Sequence, residues 1–182
     1  MGVRKPMEPV TSVAIYSFLQ RLSEHFQAPA TLYLLGGSAL CLLGNSRQTL
    51  DVDYTFDQDA TDPAEFQEKI SSLAFEMKLD LEFVPLSEFI PLPPGVQQRR
   101  RFVGRYGNLE VYIFDLYSIG LSKIARGFEA DIEDVLFMLQ TGLIEFNELE
   151  QLFQTILPDV SKVDIDPKEF RNYFEELKRR LI

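Results

Sequence analysis

Asp51 and Asp53 stand two residues apart in the stretch Leu50-Asp-Val-Asp-Tyr54. In an extended strand that spacing turns both carboxylates to one face, roughly 6–7 Å apart. Two acids so placed repel each other unless a cation lies between them, and Mg²⁺ takes oxygen ligands, commonly a few carboxylates together with substrate phosphates. Alone, an Asp-x-Asp is most often the polar side of a half-exposed strand. Upstream, however, an apolar run ends in Gly36-Gly37 and Ser38 opens the next segment. Glycines let a phosphate approach the backbone, the free N–H groups of a helix start attract anions, and the Ser38 hydroxyl adds a hydrogen bond. The two features together offer both halves of a metal–triphosphate site.

Positioning these groups requires a particular run of elements. Val10, Val13, Ala14, Phe18, Leu22 and Phe26 recur at helical spacing, and Pro29 ends that helix. Thr31 to Leu35 predicts a short buried strand, and Ser38 to Leu43 a short helix closed by Gly44-Asn45. Leu50 to Phe56 alternates, with Leu50, Val52, Tyr54 and Phe56 on the buried side and Asp51, Asp53 and Thr55 on the open one. Asp62 as N-cap and Pro63 at the first helical position start a helix that runs to about Met77. Leu79 to Val84 alternates again, and the Pro-rich stretch from Pro85 to Gly95 reads as a stiff loop. Arg99 to Arg105 and Leu109 to Phe114, joined by Tyr106-Gly107-Asn108, predict a β-hairpin. From Leu116 onward the pattern is helical, in three or four pieces punctuated by Gly127, Gly142, Pro158 and Pro167. The expected fold is α/β (α+β): a small mixed β-sheet packed by helices. Residues 1–115 form its core with an N-terminal helix, and 116–182 a C-terminal helical region packed on that core.

Gly36-Gly37-Ser38, twelve intervening residues and Asp51-Val52-Asp53 between hydrophobic Leu50 and Tyr54 resemble the signature of the polymerase-β-type nucleotidyltransferase superfamily. Three wider stretches are similar to small bacterial nucleotidyltransferase-like proteins, some of them linked to toxin–antitoxin systems. They are Leu35 to Leu40, Gly44 to Asp53, and Ser122 to Arg126 followed by Asp131 to Asp134. The resemblance implies the nucleotidyltransferase fold and transfer of a nucleoside monophosphate from a nucleoside triphosphate to an acceptor, which would be RNA, a protein hydroxyl or a small molecule. Asp51 and Asp53 would hold Mg²⁺ or Mn²⁺ and position an in-line attack. It also implies a third carboxylate on a neighbouring strand that helps activate the acceptor. Asp80, in Leu79-Asp-Leu81, is the first choice; Glu82 shares its face, and Glu110 is a third possibility. The contrasting expectation is a degenerate module of the same fold that binds a partner, such as a toxin–antitoxin component, without turnover.

Cations near the motifs have two readings each. Arg47 falls between the helix and the Asp-x-Asp strand, where a guanidinium clamps a phosphate or faces solvent. The resemblance puts a lysine near the nucleotide at Lys123; the competing role is a salt bridge to Asp131 or Asp134. Arg99-Arg100-Arg101 and Arg105, beside Phe102 and Tyr106, either grip a polynucleotide acceptor or balance the seven carboxylates between Asp51 and Glu68.

Bulk composition narrows the rest. With 18 Lys and Arg against 28 Asp and Glu, the net charge of −10 argues against a protein that coats nucleic acid non-specifically. One cysteine, Cys41 in an apolar run, excludes a disulfide framework and reads as a buried thiol. His25, without a second histidine, reads as a surface or boundary residue. No apolar run approaches the ~20 residues that span a bilayer, so the expectation is a cytoplasmic protein.

Overall fold

The computed structural model describes residues 8–57 and 62–182, so Asp59 of the acidic run lies outside it. The described residues form two compact units. One runs up to Phe83 and takes in Phe102–Tyr112; the other comprises Val84–Arg101 and Ile113–Ile182.

The first unit is built on a five-stranded sheet whose strands, in spatial order, are β3 (Asp80–Phe83), β2 (Asp51–Phe56), β1 (Ala30–Leu34), β5 (Leu109–Ile113) and β4 (Arg101–Tyr106). Helix α1 (Ser12–His25) begins where the Thr11 hydroxyl accepts the Ala14 N–H at 3.1 Å, and it buries Ile15, Phe18, Leu19 and Leu22 along one face. Strand β1 (Ala30–Leu34) leads through Leu35 into the short helix α2 (Gly36–Leu42), and β2 (Asp51–Phe56) returns antiparallel to β1 with Leu34 opposite Tyr54. Helix α3 (Pro63–Met77) is capped by the Asp62 carboxylate, which accepts the Ala64 and Glu65 N–H groups. It carries the chain across to β3 (Asp80–Phe83), parallel to β2, the crossover that a parallel pair requires. Beneath the sheet, Phe66 of α3 meets Phe26 and Phe56 with ring centroids 4.7 and 5.0 Å away. The hairpin β4 (Arg101–Tyr106) and β5 (Leu109–Ile113) turns on Gly107-Asn108.

In the second unit, α5 (Leu116–Arg126), α6 (Glu129–Gln140), α7 (Phe146–Ile156) and α8 (Pro167–Arg180) bury Ile119, Ile124, Val135, Met138, Leu149 and Leu177. Phe153 stacks on Phe174 at 4.0 Å and lies 4.7 Å from Phe170, so a small cluster of rings closes the helices.

Several local expectations shift. Leu50 is outside β2 and 50% exposed, whereas Thr55 is buried, opposite the equally buried Tyr33. The Pro-rich stretch is not all loop: it holds a 3-10 turn at Leu86–Glu88, and the short helix α4 (Val96–Arg99) follows it, so the strand expected from Arg99 begins at Arg101. Ile90 of the stretch and Val96 of α4 are buried, and the rings of Phe89 and Phe114 are 6.2 Å apart. This anchoring is why Val84–Arg101 belongs with the helices, not with the strands that flank it in sequence. Cys41 is half-buried, and His25 is exposed at the end of α1.

Candidate active site

Strand register makes the acidic face. Because β3 runs parallel to β2, Asp51 pairs with Asp80 and Asp53 with Glu82, so four carboxylates project from two adjacent strands. Asp51, Asp53 and Glu82 each bring an oxygen within 4.8 Å of the others, the first two half-buried and Glu82 exposed. That span is of the order of two metal–oxygen bonds, and the donors are all hard oxygens, as Mg²⁺ or Mn²⁺ prefers. Asp80 is outside this group. It stands beside Asp51 at the first position of β3, while the longer Glu82 side chain rises next to Asp53. Glu110 is on β5, separated from β2 by β1, and there it accepts hydrogen bonds from Arg105 and from the Tyr112 hydroxyl.

The glycine turn packs directly on the acids. The Leu35 N–H donates to the Asp53 carbonyl at 3.0 Å, joining the end of β1 to the middle of β2. Gly36 then turns with φ +59, the left-handed region that glycine enters without penalty. A Cβ there would come within 1.8 Å of the Asp53 Oδ2, so the carboxylate occupies the room that a side chain would need. A Cβ on Gly37 would meet the Thr49 Oγ1 at 2.9 Å and a terminal guanidinium nitrogen of Arg47 at 3.7 Å. Arg47 is half-buried over this turn. Ser38 is fully buried, and its hydroxyl donates to the Leu35 carbonyl at 2.9 Å, closing the first turn of α2.

Thus Gly36, Gly37, Arg47, Asp51, Asp53 and Glu82 come together in the first unit. Thr49, to which sequence reasoning assigned no role, belongs there too: its hydroxyl donates to the Asp51 Oδ1 at 3.1 Å. Thr49 precedes β2 (Asp51–Phe56), so no strand-face period in the sequence singled it out.

Lys123 lies in the second unit, on α5. Its ammonium is buried, 2.7 Å from the Asp134 Oδ2 and 3.4 Å from the Asp131 Oδ1, and Arg126 donates to the same Asp131 oxygen at 2.6 Å. The arginine-rich segment is likewise tied down. Arg99 grips the fully buried Asp115 through two hydrogen bonds of 2.8 and 2.7 Å, with the Tyr117 ring beside the guanidinium. Those bonds to Asp115 are the main reason why the Arg99 pKa is raised. Arg101 donates to the Leu143 carbonyl, and Arg105 pairs with Glu110.

Comparison with known proteins gives the family of the chain. The sequence profile of a family described as "Nucleotidyltransferase of unknown function (DUF6036)" matches residues 13–181. No curated protein matches significantly. The crystal structure of an antigenic nucleotidyltransferase-like protein from Paracoccidioides brasiliensis is similar over 87% of this chain and 96% of that chain, with 17% sequence identity and a TM-score of 0.49.

Proposed function

Because the chain belongs to this nucleotidyltransferase family, we propose that it transfers a nucleoside monophosphate from a nucleoside triphosphate to an acceptor hydroxyl. In that reaction the acceptor oxygen bonds to the α-phosphorus, the bond from that phosphorus to the bridging oxygen breaks, and pyrophosphate leaves. The observation that carries the reading is the gathering of Asp51, Asp53 and Glu82 oxygens within 4.8 Å of one another, with Gly36 seated against Asp53. Such a donor set fits a divalent cation, Mg²⁺ or Mn²⁺, whose chemistry when bound is to neutralise phosphate charge and align the attack.

The chain's own groups divide the work. Asp51 and Asp53, on one strand face, are the ligands held in fixed relation by β2. Glu82, the most exposed of the three, is assigned in this reading to take the acceptor proton. The Gly36-Gly37 backbone and the Arg47 guanidinium beside it form the phosphate side of the site. Ser38 supports that turn from below through Leu35.

The test is label transfer from an α-labelled triphosphate, with Mn²⁺ binding and thermal melting followed in parallel. Asp51→Ala with Asp53→Ala is expected to abolish binding and transfer, with the metal-free melting transition recorded to show that the variant is folded. Unchanged transfer in that double variant would sink the reading. Glu82→Gln should cost more than Asp80→Asn; the reverse order would return the third role to Asp80. Triphosphate binding by the wild type with no transfer to RNA, protein or small-molecule acceptors would favour a binding module instead.

A further inference from the structure

Thr49 stands between the two halves of the candidate site. It is 8% exposed, and its backbone carbonyl is held by the Val10 N–H at 2.8 Å. A hydroxyl has one proton to give, and both acceptors within reach belong to Asp51: the carboxylate Oδ1 at 3.1 Å and the carbonyl at 3.3 Å. On its other side the same oxygen sits against Gly37, where an added Cβ would approach to 2.9 Å.

A buried hydroxyl needs a partner, and leaving one unmade costs more than the net gain of making it. Packing alone would be served as well by valine, which has the same branched shape with no polar atom. The presence of a hydroxyl at this depth is therefore explained by Asp51, whose carboxylate is the nearer of its two acceptors. We infer that Thr49 is a positioning residue of the cation site. Its hydroxyl ties one oxygen of Asp51 and so sets the direction of the other, while Gly37 leaves the room that keeps the hydroxyl in place. Groups that orient a ligand in this way commonly carry a 10–100-fold effect on metal affinity.

This inference rests on the reading that Asp51 and Asp53 hold a divalent cation, and the experiment separates the two. Mn²⁺ alone is titrated into the full chain and the free ion counted by electron paramagnetic resonance, for wild type, Thr49→Val and Thr49→Ser, each checked for folding by thermal melting. The expected result is a roughly 10–100-fold weaker affinity for Thr49→Val and recovery to near wild type in Thr49→Ser, which restores the hydroxyl. Should Thr49→Val fold poorly, Thr49→Ala removes the hydroxyl without adding bulk and carries the same comparison. Wild-type affinity in the Val or Ala variant, or equal weakness in Thr49→Ser, overturns the role of the hydroxyl. Failure of the wild type to bind Mn²⁺ overturns the cation reading itself, and the positioning role with it.

Discussion

In the helical unit Asp131 and Asp134 are buried and held by Lys123, which is itself only 2% exposed, whereas in the sheet unit Asp51, Asp53 and Glu82 gather at a half-open surface. The first arrangement is closed. Three charged groups withdrawn from water satisfy one another at hydrogen-bond distance, and Arg126 completes Asp131 from outside. The second draws like charges together, held at short range by strand register and by a turn that leaves room for the Asp53 carboxylate. Buried charge is tolerated only when paired, so the helical cluster serves the fold. Like charges kept within reach of solvent cost less and remain available to a ligand. Carboxylates of the same chemical type thus take different roles through what surrounds them.

That contrast can be broken at its strongest point first. Replacing Lys123 by Met keeps the apolar stem and leaves Asp131 and Asp134 without the buried ammonium. The expected loss is about 3–5 kcal/mol of unfolding free energy, read by denaturant titration. A loss below about 1 kcal/mol would mean that the helical acids are as tolerant of one another as the sheet acids, and the contrast would fail.

A smaller effect, with a different signature, is expected at Gly36. Alanine there must adopt φ +59 and meets the Asp53 Oδ2 at 1.8 Å. We expect Gly36→Ala to cost about 1–3 kcal/mol and to weaken Mn²⁺ binding, because the carboxylate must move to make room. Retained affinity with lowered stability would reduce Gly36 to a turn residue.

The smallest expected effect concerns pH. Burial raises the Tyr54 phenol above its ordinary value of 10.0, and the hydrogen bond from the Gln67 side chain opposes that rise. The unfolded chain therefore gives up this proton first. The stability from a neutral Tyr54 is intact below pH 10.0 and is lost as the pH rises through the raised value. Tyr54→Phe should flatten the alkaline limb of the melting-temperature profile. Because Tyr54 packs on the core face of the strand that carries Asp51 and Asp53, an unflattened limb would point instead to groups such as Tyr117 in the helical unit, which burial also raises.

Much of the fold was legible along the chain. The helix start at Asp62-Pro63, the glycine after β1 and the two-residue alternation of β2 are local signals, written in residue type and spacing. Less legible was anything that depends on which strand lies beside which. That Glu82 gathers with Asp51 and Asp53 depends on a parallel register and on side-chain reach that no local pattern encodes, since Asp80 and Glu82 share one face of β3. Arg99 illustrates the same limit. Its place in an arginine run suggested a nucleic-acid grip, but a short helix turns its guanidinium to a fully buried aspartate sixteen residues away in sequence.

By itself the sequence carried the resemblance to nucleotidyltransferases, in Gly36-Gly37-Ser38 and Asp51-Val-Asp53, and it put the two acids on one strand face behind a glycine turn, because strand periodicity and the conformational freedom of glycine are local properties. Only the tertiary structure decided that Glu82 stands with Asp51 and Asp53, that Thr49 holds Asp51, and that Lys123 is closed by two aspartates. These outcomes depend on strand neighbours, burial and distances of a few ångströms between groups far apart in the chain, and no single segment contains that information.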